Sequence, residues 1–214
     1  MIHSPELLKA WWREAGAAWA EDALFRQRLS LYLQALCEWN QSFNLTGCKS
    51  FADLLSRHVQ DVALLQEVLP PSCGPCVDIG SGAGLPGLVL AMMHDAPPWL
   101  LIESNQKKIR FLRHVVQHLQ LAHVSIYPDR AESPPNQWVG RCDAVTSRAV
   151  GSLTLMAKLA FPYLRRGGSC LAMKGEDHPA EIQRYLEKPL PGYSAPELLP
   201  LAPRSWVVRL TRFT

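Results

Sequence analysis

Glycines cluster behind a short apolar run in VDIGSGAGLPG, residues 77–87. A loop of this composition lets the backbone approach a bound ligand closely. Residues 82–87 match the G-x-G-x-x-G pattern of dinucleotide-binding loops, whereas residues 78–84 match the D-x-G-x-G-x-G pattern of S-adenosylmethionine (SAM) sites. Because Asp78 and Gly80 occupy the corner where the predicted strand ends, we favour SAM. A nicotinamide dinucleotide stays open as the alternative.

Two charged residues end later predicted strands. Glu103 lies about 20 residues beyond the loop, where an acidic residue binds ribose hydroxyls in this class of fold. Both candidate cofactors use such an acid, so Glu103 does not discriminate between them. Lys174 ends the apolar run CLAMK. Because ligands bind at the carboxyl edge of such sheets, we expect Lys174 to contact substrate.

A second motif, Cys73-Gly-Pro-Cys76, has the spacing of a thioredoxin-type redox pair. Chemistry of that type places the first thiol at a helix N-terminus, which lowers its pKa. Here Cys76 opens a predicted strand instead, so the motif predicts a turn that leads into this strand. Cys142 and Cys170 are isolated in the sequence, and we therefore expect no metal site.

The pattern of apolar residues predicts two parts. Residues 5–70 are predicted to be helical, since Phe25, Leu29, Tyr32 and Leu36 recur on one helical face. From residue 71 short apolar runs alternate with amphipathic stretches, which predicts a mostly parallel sheet covered by helices. The last stretch, 197–213, predicts an antiparallel pair of strands. We therefore expect a helical extension over 1–70 and a Rossmann-like α/β domain over 71–214.

Composition and charge argue against a membrane protein and a secreted protein. The chain has 214 residues and a formal net charge of +3, which neither requires nor excludes a nucleic-acid partner. No apolar run is long enough to cross a membrane, and the first residues lack the pattern of a signal peptide. Six cysteines in apolar contexts suggest a reducing compartment, so we expect a cytoplasmic protein.

Six segments in order resemble one family: WNQSFNLTG, RHVQD, VDIGSGAGLPG, KKIRFLR, SRAV and MKG. The chain is similar to the bacterial RsmG (GidB) family from about Trp39 to Lys174. The resemblance implies the class I SAM-dependent methyltransferase fold, SAM as cofactor, and methylation of guanine N7 in the 16S ribosomal RNA of the small subunit. One departure is Val62, which stands where the family tends to have serine.

The resemblance also implies roles for individual residues. Cofactor contacts are implied for Asp78, Gly80, Gly82, Leu85, Glu103, Ala131, Glu132 and Arg148, and a place at the catalytic centre for Arg148, Asn44, His58 and Lys174. Arg57 is implied to face the RNA.

A run of positive charge predicts where RNA binds. Lys107, Lys108, Arg110 and Arg113 occupy seven positions without an acid among them, which favours phosphate contact. We expect 16S rRNA or the small subunit as partner, and a monomer. Two other classes stay open at this point: an NAD(P)-dependent oxidoreductase that uses the same loop, and a non-catalytic RNA-binding module.

Overall fold

A seven-stranded sheet organises the computed structural model, which describes residues 3–15, 21–70 and 73–214, apart from the side chains of Ala15 and Arg57. The strands are β1 (Cys76–Ile79), β2 (Trp99–Ile102), β3 (Val124–Tyr127), β4 (Cys142–Arg148), β5 (Leu164–Lys174), β6 (Glu197–Ala202) and β7 (Ser205–Thr211). Their order across the sheet is β3-β2-β1-β4-β5-β7-β6. Strands β1 to β5 are parallel, and β7 is antiparallel to both of its neighbours.

This strand order confirms the predicted α/β fold and refines it. The dinucleotide-binding fold has the order 3-2-1-4-5-6 with parallel strands. Here the antiparallel β7 lies between β5 and β6. The predicted terminal pair is present: β7 pairs with β5, and β6 forms the edge of the sheet.

Eight α-helices accompany the strands in the described part of the chain. They are α1 (Pro5–Ala15), α2 (Ala23–Phe43), α3 (Phe51–Leu54), α4 (Gln60–Leu65), α5 (Gly87–Ala91), α6 (Gln106–His118), α7 (Leu153–Ala160) and α8 (His178–Glu187). None of these helices is long and apolar enough to cross a membrane.

The helix predicted over residues 51–69 changes its winding twice. A π-helical segment, Leu55–Val59, joins α3 to α4, and a 3-10 turn, Gln66–Val68, ends the run. Short π-helical segments are often found at functional sites. Arg57 and His58 lie in this one.

The N-terminal helices share one hydrophobic core with the sheet. Phe25, Leu29, Tyr32 and Leu36 of α2 are fully buried, and they belong to the same apolar cluster as Trp99 of β2. The predicted helical face is therefore the buried face. Residues 71 and 72, where the second domain is predicted to begin, lie outside the described residues, and the division at that point stays a prediction.

Candidate functional site

The glycine loop turns sharply at the carboxyl end of β1. Gly80, Gly82 and Gly84 have φ angles of +69°, +59° and +97°, a region that disfavours residues with a Cβ. The amides of Gly80 and Ser81 both donate to the carbonyl of Ile102, at 2.9 and 3.0 Å. These bonds hold the start of the loop against the end of β2.

Asp78 lies beneath the loop and is fully buried. One carboxylate oxygen accepts from the hydroxyl of Thr146 at 2.8 Å, and the other accepts from the amide of Gly87 at 3.1 Å. Burial raises the pKa of Asp78 to about 7, while these hydrogen bonds act in the opposite direction. Asp78 therefore connects the far end of the loop, at Gly87, to β4, and its carboxylate lies beneath the loop.

Glu103 follows β2 and holds the middle of the loop from the other side. Its carboxylate accepts from the amide of Gly82 at 2.9 Å and from the amide of Asn105 at 2.8 Å. Asn105 in turn caps α6, since its side chain accepts from the amides of Lys107 and Lys108. Glu103 is thus held rigidly at the rim of the glycine loop.

The glycine loop and Glu103 border an open pocket of about 390 Å³, which we call the loop pocket. Asp78, which is buried beneath the loop, does not line it. The loop and Glu103 form one wall. The residues that close it elsewhere come from four different segments: Leu45, Thr46, His58, Lys108, Arg148, Ala149 and Val150. Small-molecule sites commonly measure about 300–1,000 Å³, so this volume suits one ligand of cofactor size.

Tyr32 connects α2 to the floor of this pocket. Its hydroxyl donates to the carbonyl of Ala83 at 2.8 Å, and the bond is buried. A buried carbonyl without a donor costs free energy. The N-terminal helices therefore contribute directly to the conformation of the loop.

Arg148, the last residue of β4, borders more than the loop pocket. It also lines two adjoining cavities of about 370 and 540 Å³, together with Asp61 and Ser205. The Ser205 hydroxyl is hydrogen-bonded to Asp61, and burial raises the pKa of that carboxyl. Burial also lowers the pKa of Arg148, and the negative charge of Asp61 counteracts this effect. We call the space shared by these three side chains the arginine pocket.

Lys174 lies on the far side of the arginine pocket. Its ammonium group contacts Glu181 at 2.7 Å and donates to the carbonyl of Gly151 at 3.1 Å. Both side chains are largely buried, with 9 % and 13 % exposed. The ion pair fixes α8 against the segment that follows β4.

The structure brings together some of the predicted site residues and leaves others apart. Loop residues, Glu103, His58 and Arg148 border one pocket, and Lys174 borders the adjoining one. Asn44 is an exposed residue in the left-handed conformation at the end of α2. The side chain of Arg57 lies outside the described residues.

Ala131 and Glu132 lie in the segment after β3. Ala131 is buried and its carbonyl accepts from the hydroxyl of Tyr163 at 2.9 Å, while Glu132 is exposed. Neither residue borders the loop pocket as described here. Their predicted contact with an adenine stays a prediction.

The four basic residues of α6 divide into two groups. Lys107, Arg110 and Arg113 are exposed and recur every third position, and we call them the basic face of α6. Lys108 is half-buried, and its ammonium group lies 4.0 Å from where a Cβ on Gly82 would be. Lys108 therefore belongs to the loop pocket.

Several pocket residues were not among the predicted ones: Tyr32, Thr46, Asp61, Val150 and Ser205. Thr46 lies in the NLT segment, and its amide donates to the side chain of Asn40 at 2.9 Å. Asp61 could have been predicted, because it is the last residue of the RHVQD segment on which the family resemblance rests. Nothing local in the sequence distinguishes Tyr32 from its apolar neighbours on α2. Groups of three or more side chains able to hold a metal ion do not occur among the described residues.

The chain matches a known family over most of its length. Residues 26–191 match the model of the family described as rRNA small subunit methyltransferase G. A curated relative of that name from Psychrobacter sp. is 40% identical over 74% of this chain and 70% of its own length. Another from Halorhodospira halophila is 36% identical over 83% of this chain and 84% of its own length.

Solved structures agree on the fold. A SAM-dependent methyltransferase from Aquifex aeolicus superposes with a TM-score of 0.61 at 12% identity, covering 79% of this chain and 97% of its own. A Thermus thermophilus 16S rRNA N2 methyltransferase, in complex with AdoMet and guanosine, has a TM-score of 0.53 at 17% identity, covering 74% and 40%. The chain has the fold of SAM-dependent methyltransferases.

Proposed function

Since the chain belongs to the rRNA small subunit methyltransferase G family, we propose that it transfers a methyl group from SAM to N7 of a guanine in 16S ribosomal RNA. The observation that carries the proposal is the shared wall between the two pockets: Arg148 borders both. A cofactor in one pocket and a base in the other would meet at this residue.

The loop pocket fits SAM on its own geometry. Glu103 is fixed by two backbone amides, and a carboxylate in this place can accept hydrogen bonds from ribose hydroxyls. At Gly80 a Cβ would meet the side chain of Val150 at 2.5 Å, so only glycine leaves this passage open. When bound, SAM supplies a methyl group carried on a positively charged sulfur.

The residues of the arginine pocket fit guanine. The Watson–Crick edge of guanine presents N–H donors at N1 and N2. A carboxylate such as that of Asp61 can accept hydrogen bonds from both. Guanine O6 is an acceptor for a guanidinium such as Arg148. Arginine often binds O6 and N7 together. Here N7 must receive the methyl group, so we propose that Arg148 binds O6 alone.

Transfer to N7 needs little acid–base chemistry from the protein. N7 carries an exposed lone pair and no proton, so a general base is not required. The main contribution of the chain is then to hold the base and the methyl donor in line, and such positioning can supply much of the rate. Lys174 and Glu181 would act indirectly, because their ion pair fixes the segment beside Arg148.

The basic face of α6 would contact RNA phosphates. Its three charges are exposed, and they lie on the helix that begins beside Glu103. Phosphate contacts of this kind position the RNA without reading its sequence. We further propose that the protein is cytoplasmic and monomeric. Light scattering of the purified protein tests the second point, the oligomeric state.

The decisive experiment is methyl transfer from labelled SAM to small ribosomal subunits purified from cells that lack the endogenous activity. The RNA is then cleaved chemically at N7-methylguanine. We expect label in 16S rRNA and a single new cleavage site. Label without cleavage would reject N7 and keep the methyltransferase. No label, together with calorimetric binding of NAD, would favour the oxidoreductase.

Two variants test the roles in the arginine pocket. Arg148→Ala and Asp61→Asn should each lower transfer at least about tenfold, since each removes a charge-assisted hydrogen bond of roughly 1.5–3 kcal/mol. Arg184→Ala, which changes an exposed arginine on α8, is the matched control and should retain activity. Unchanged transfer in either pocket variant would remove that residue from the site.

A further inference from the structure

The Cys73-Gly-Pro-Cys76 turn brings two thiols into contact at the edge of the sheet opposite the glycine loop. The Sγ atoms of Cys73 and Cys76 are 3.4 Å apart, and both cysteines are reduced. Cys76 begins β1, whereas the glycine loop follows the end of that strand. The pair is therefore separate from the pocket proposed for SAM.

The backbone of the turn holds the two thiols in this arrangement. The amide of Cys76 donates to the carbonyl of Pro98 at 2.8 Å, and the amide of Asp143 donates to the carbonyl of Pro75 at 2.9 Å. The amide of Gly74 donates to the Asp143 carboxylate, which also pairs with Arg165. A Cβ on Gly74 would lie 2.8 Å from that carboxylate, so a larger residue here would displace the Asp143 side chain.

The two thiols have different environments. Cys76 is fully buried, whereas Cys73 is half-buried and lines an open cavity of about 410 Å³ between the helices and the start of β2. A hydrogen bond from Cys76 lowers the pKa of Cys73, and the same contact raises the pKa of Cys76. The accessible sulfur is thus the one that reaches the thiolate form more readily, and the thiolate is the nucleophile in disulfide exchange.

From this geometry we propose that Cys73 and Cys76 form a reversible dithiol site that exchanges with low-molecular-mass disulfides. The Cys73 thiolate attacks one sulfur of the external disulfide, whose S–S bond breaks and releases one thiolate. Cys76 then attacks Cys73 Sγ, the bond between Cys73 and the external sulfur breaks, and the second thiolate leaves and takes up the proton of Cys76. Two electrons pass from the protein to the external disulfide, and the two released thiolates take up two protons.

The second step needs a short movement. A disulfide bond is about 2.05 Å long, so the two sulfurs must approach by roughly 1.4 Å. Cys142 is near enough to act electrostatically on this pair, but it is fully buried, so an external disulfide reaches Cys73 first. The thioredoxin motif places its reactive thiol at a helix end. Here the hydrogen bond from Cys76, rather than a helix end, lowers the pKa of Cys73.

The test uses wild-type protein equilibrated with graded ratios of oxidised to reduced glutathione, then quenched in acid and alkylated in denaturant. We expect the peptide that contains residues 73 and 76 to lose both alkylation sites together, with the mass of an internal disulfide. The other four of the six cysteines should stay alkylated. Full alkylation of this peptide even in excess oxidised glutathione would overturn the proposal. So would glutathione that remains attached to Cys73.

Three variants separate the steps. Cys76→Ser should accumulate a mixed disulfide on Cys73, because the resolving thiol is gone. Cys73→Ser should leave Cys76 reduced, because Cys76 is buried. Cys48→Ser, which removes another half-buried thiol, is the matched control and should oxidise like the wild type. The assay needs neither SAM nor RNA, so its result is independent of the proposed methyl transfer.

Discussion

Asp78 makes the stability of the protein depend on pH in a way that one substitution should remove. Burial raises the pKa of its carboxyl from 3.8 to about 7 in the folded chain. Between these values the folded state holds a proton that the unfolded state has lost. The contribution of Asp78 to the free energy of unfolding is therefore present at low pH and is lost as the pH rises through 7.

The size of the effect follows from the two pKa values. Protonation linkage gives about 3 kcal/mol of stability at pH 5 that is nearly gone at pH 8. Asp78→Asn has the same shape and does not titrate. Its oxygen can accept from the Gly87 amide while its amide donates to Thr146, whose hydroxyl can turn to the carbonyl of Val77 at 3.4 Å.

The assay is urea denaturation of wild type and Asp78→Asn at pH 5 and at pH 8. Other titrating groups are common to both proteins, so the difference between their pH dependences isolates Asp78. We expect the wild type to lose about 3 kcal/mol more than the variant on going from pH 5 to pH 8. Asp129→Asn, which changes an exposed carboxylate, should behave as the wild type. Equal losses in wild type and Asp78→Asn would show that Asp78 does not titrate between pH 5 and pH 8 in the folded protein.

The remaining predictions concern the loop, the cofactor and the RNA. Tyr32→Phe should lower the free energy of unfolding by about 1–3 kcal/mol, since the buried carbonyl of Ala83 loses its donor. The control is Tyr127→Phe, whose hydroxyl makes an exposed hydrogen bond. It should lower the free energy of unfolding by less in the same urea titration. Glu103→Gln should weaken SAM binding roughly 10- to 100-fold in calorimetry, while Glu197→Gln at an exposed site should not. Reversing the three charges of the basic face of α6 should lower the slope of log affinity for RNA against log salt by up to about 3, and an unchanged slope would show that this face is merely solvated.

The sequence predicted those parts of the fold that depend on local patterns. The predicted buried face of α2 is confirmed, because helical periodicity indicates which side chains lie on the same side of a helix. The place of β7 between β5 and β6 was not predicted, because an apolar strand pattern does not tell which edge it will join. The bond from Tyr32 to Ala83 spans 51 residues, and no local pattern carries such information.

Helical periodicity separates the four basic residues of α6 into two groups. Lys107, Arg110 and Arg113 recur every third residue and are exposed together. Lys108 precedes the buried Phe111 and Leu112 by three and four positions, so it lies at the edge of the buried face. Its assignment to the loop pocket could have been predicted from the same helix.

The contact of α2 with the glycine loop also affects how the chain is made. Translation produces α2 before any strand of the sheet, yet its apolar side packs against α6 and belongs to the core beneath the sheet. Until residue 118 has left the ribosome, the side of this helix that packs against α6 lacks its partner. Exposed apolar surface of this kind is what makes nascent chains prone to aggregate. Deleting α2 would therefore open this shared core to solvent and remove the hydrogen bond that anchors the glycine loop.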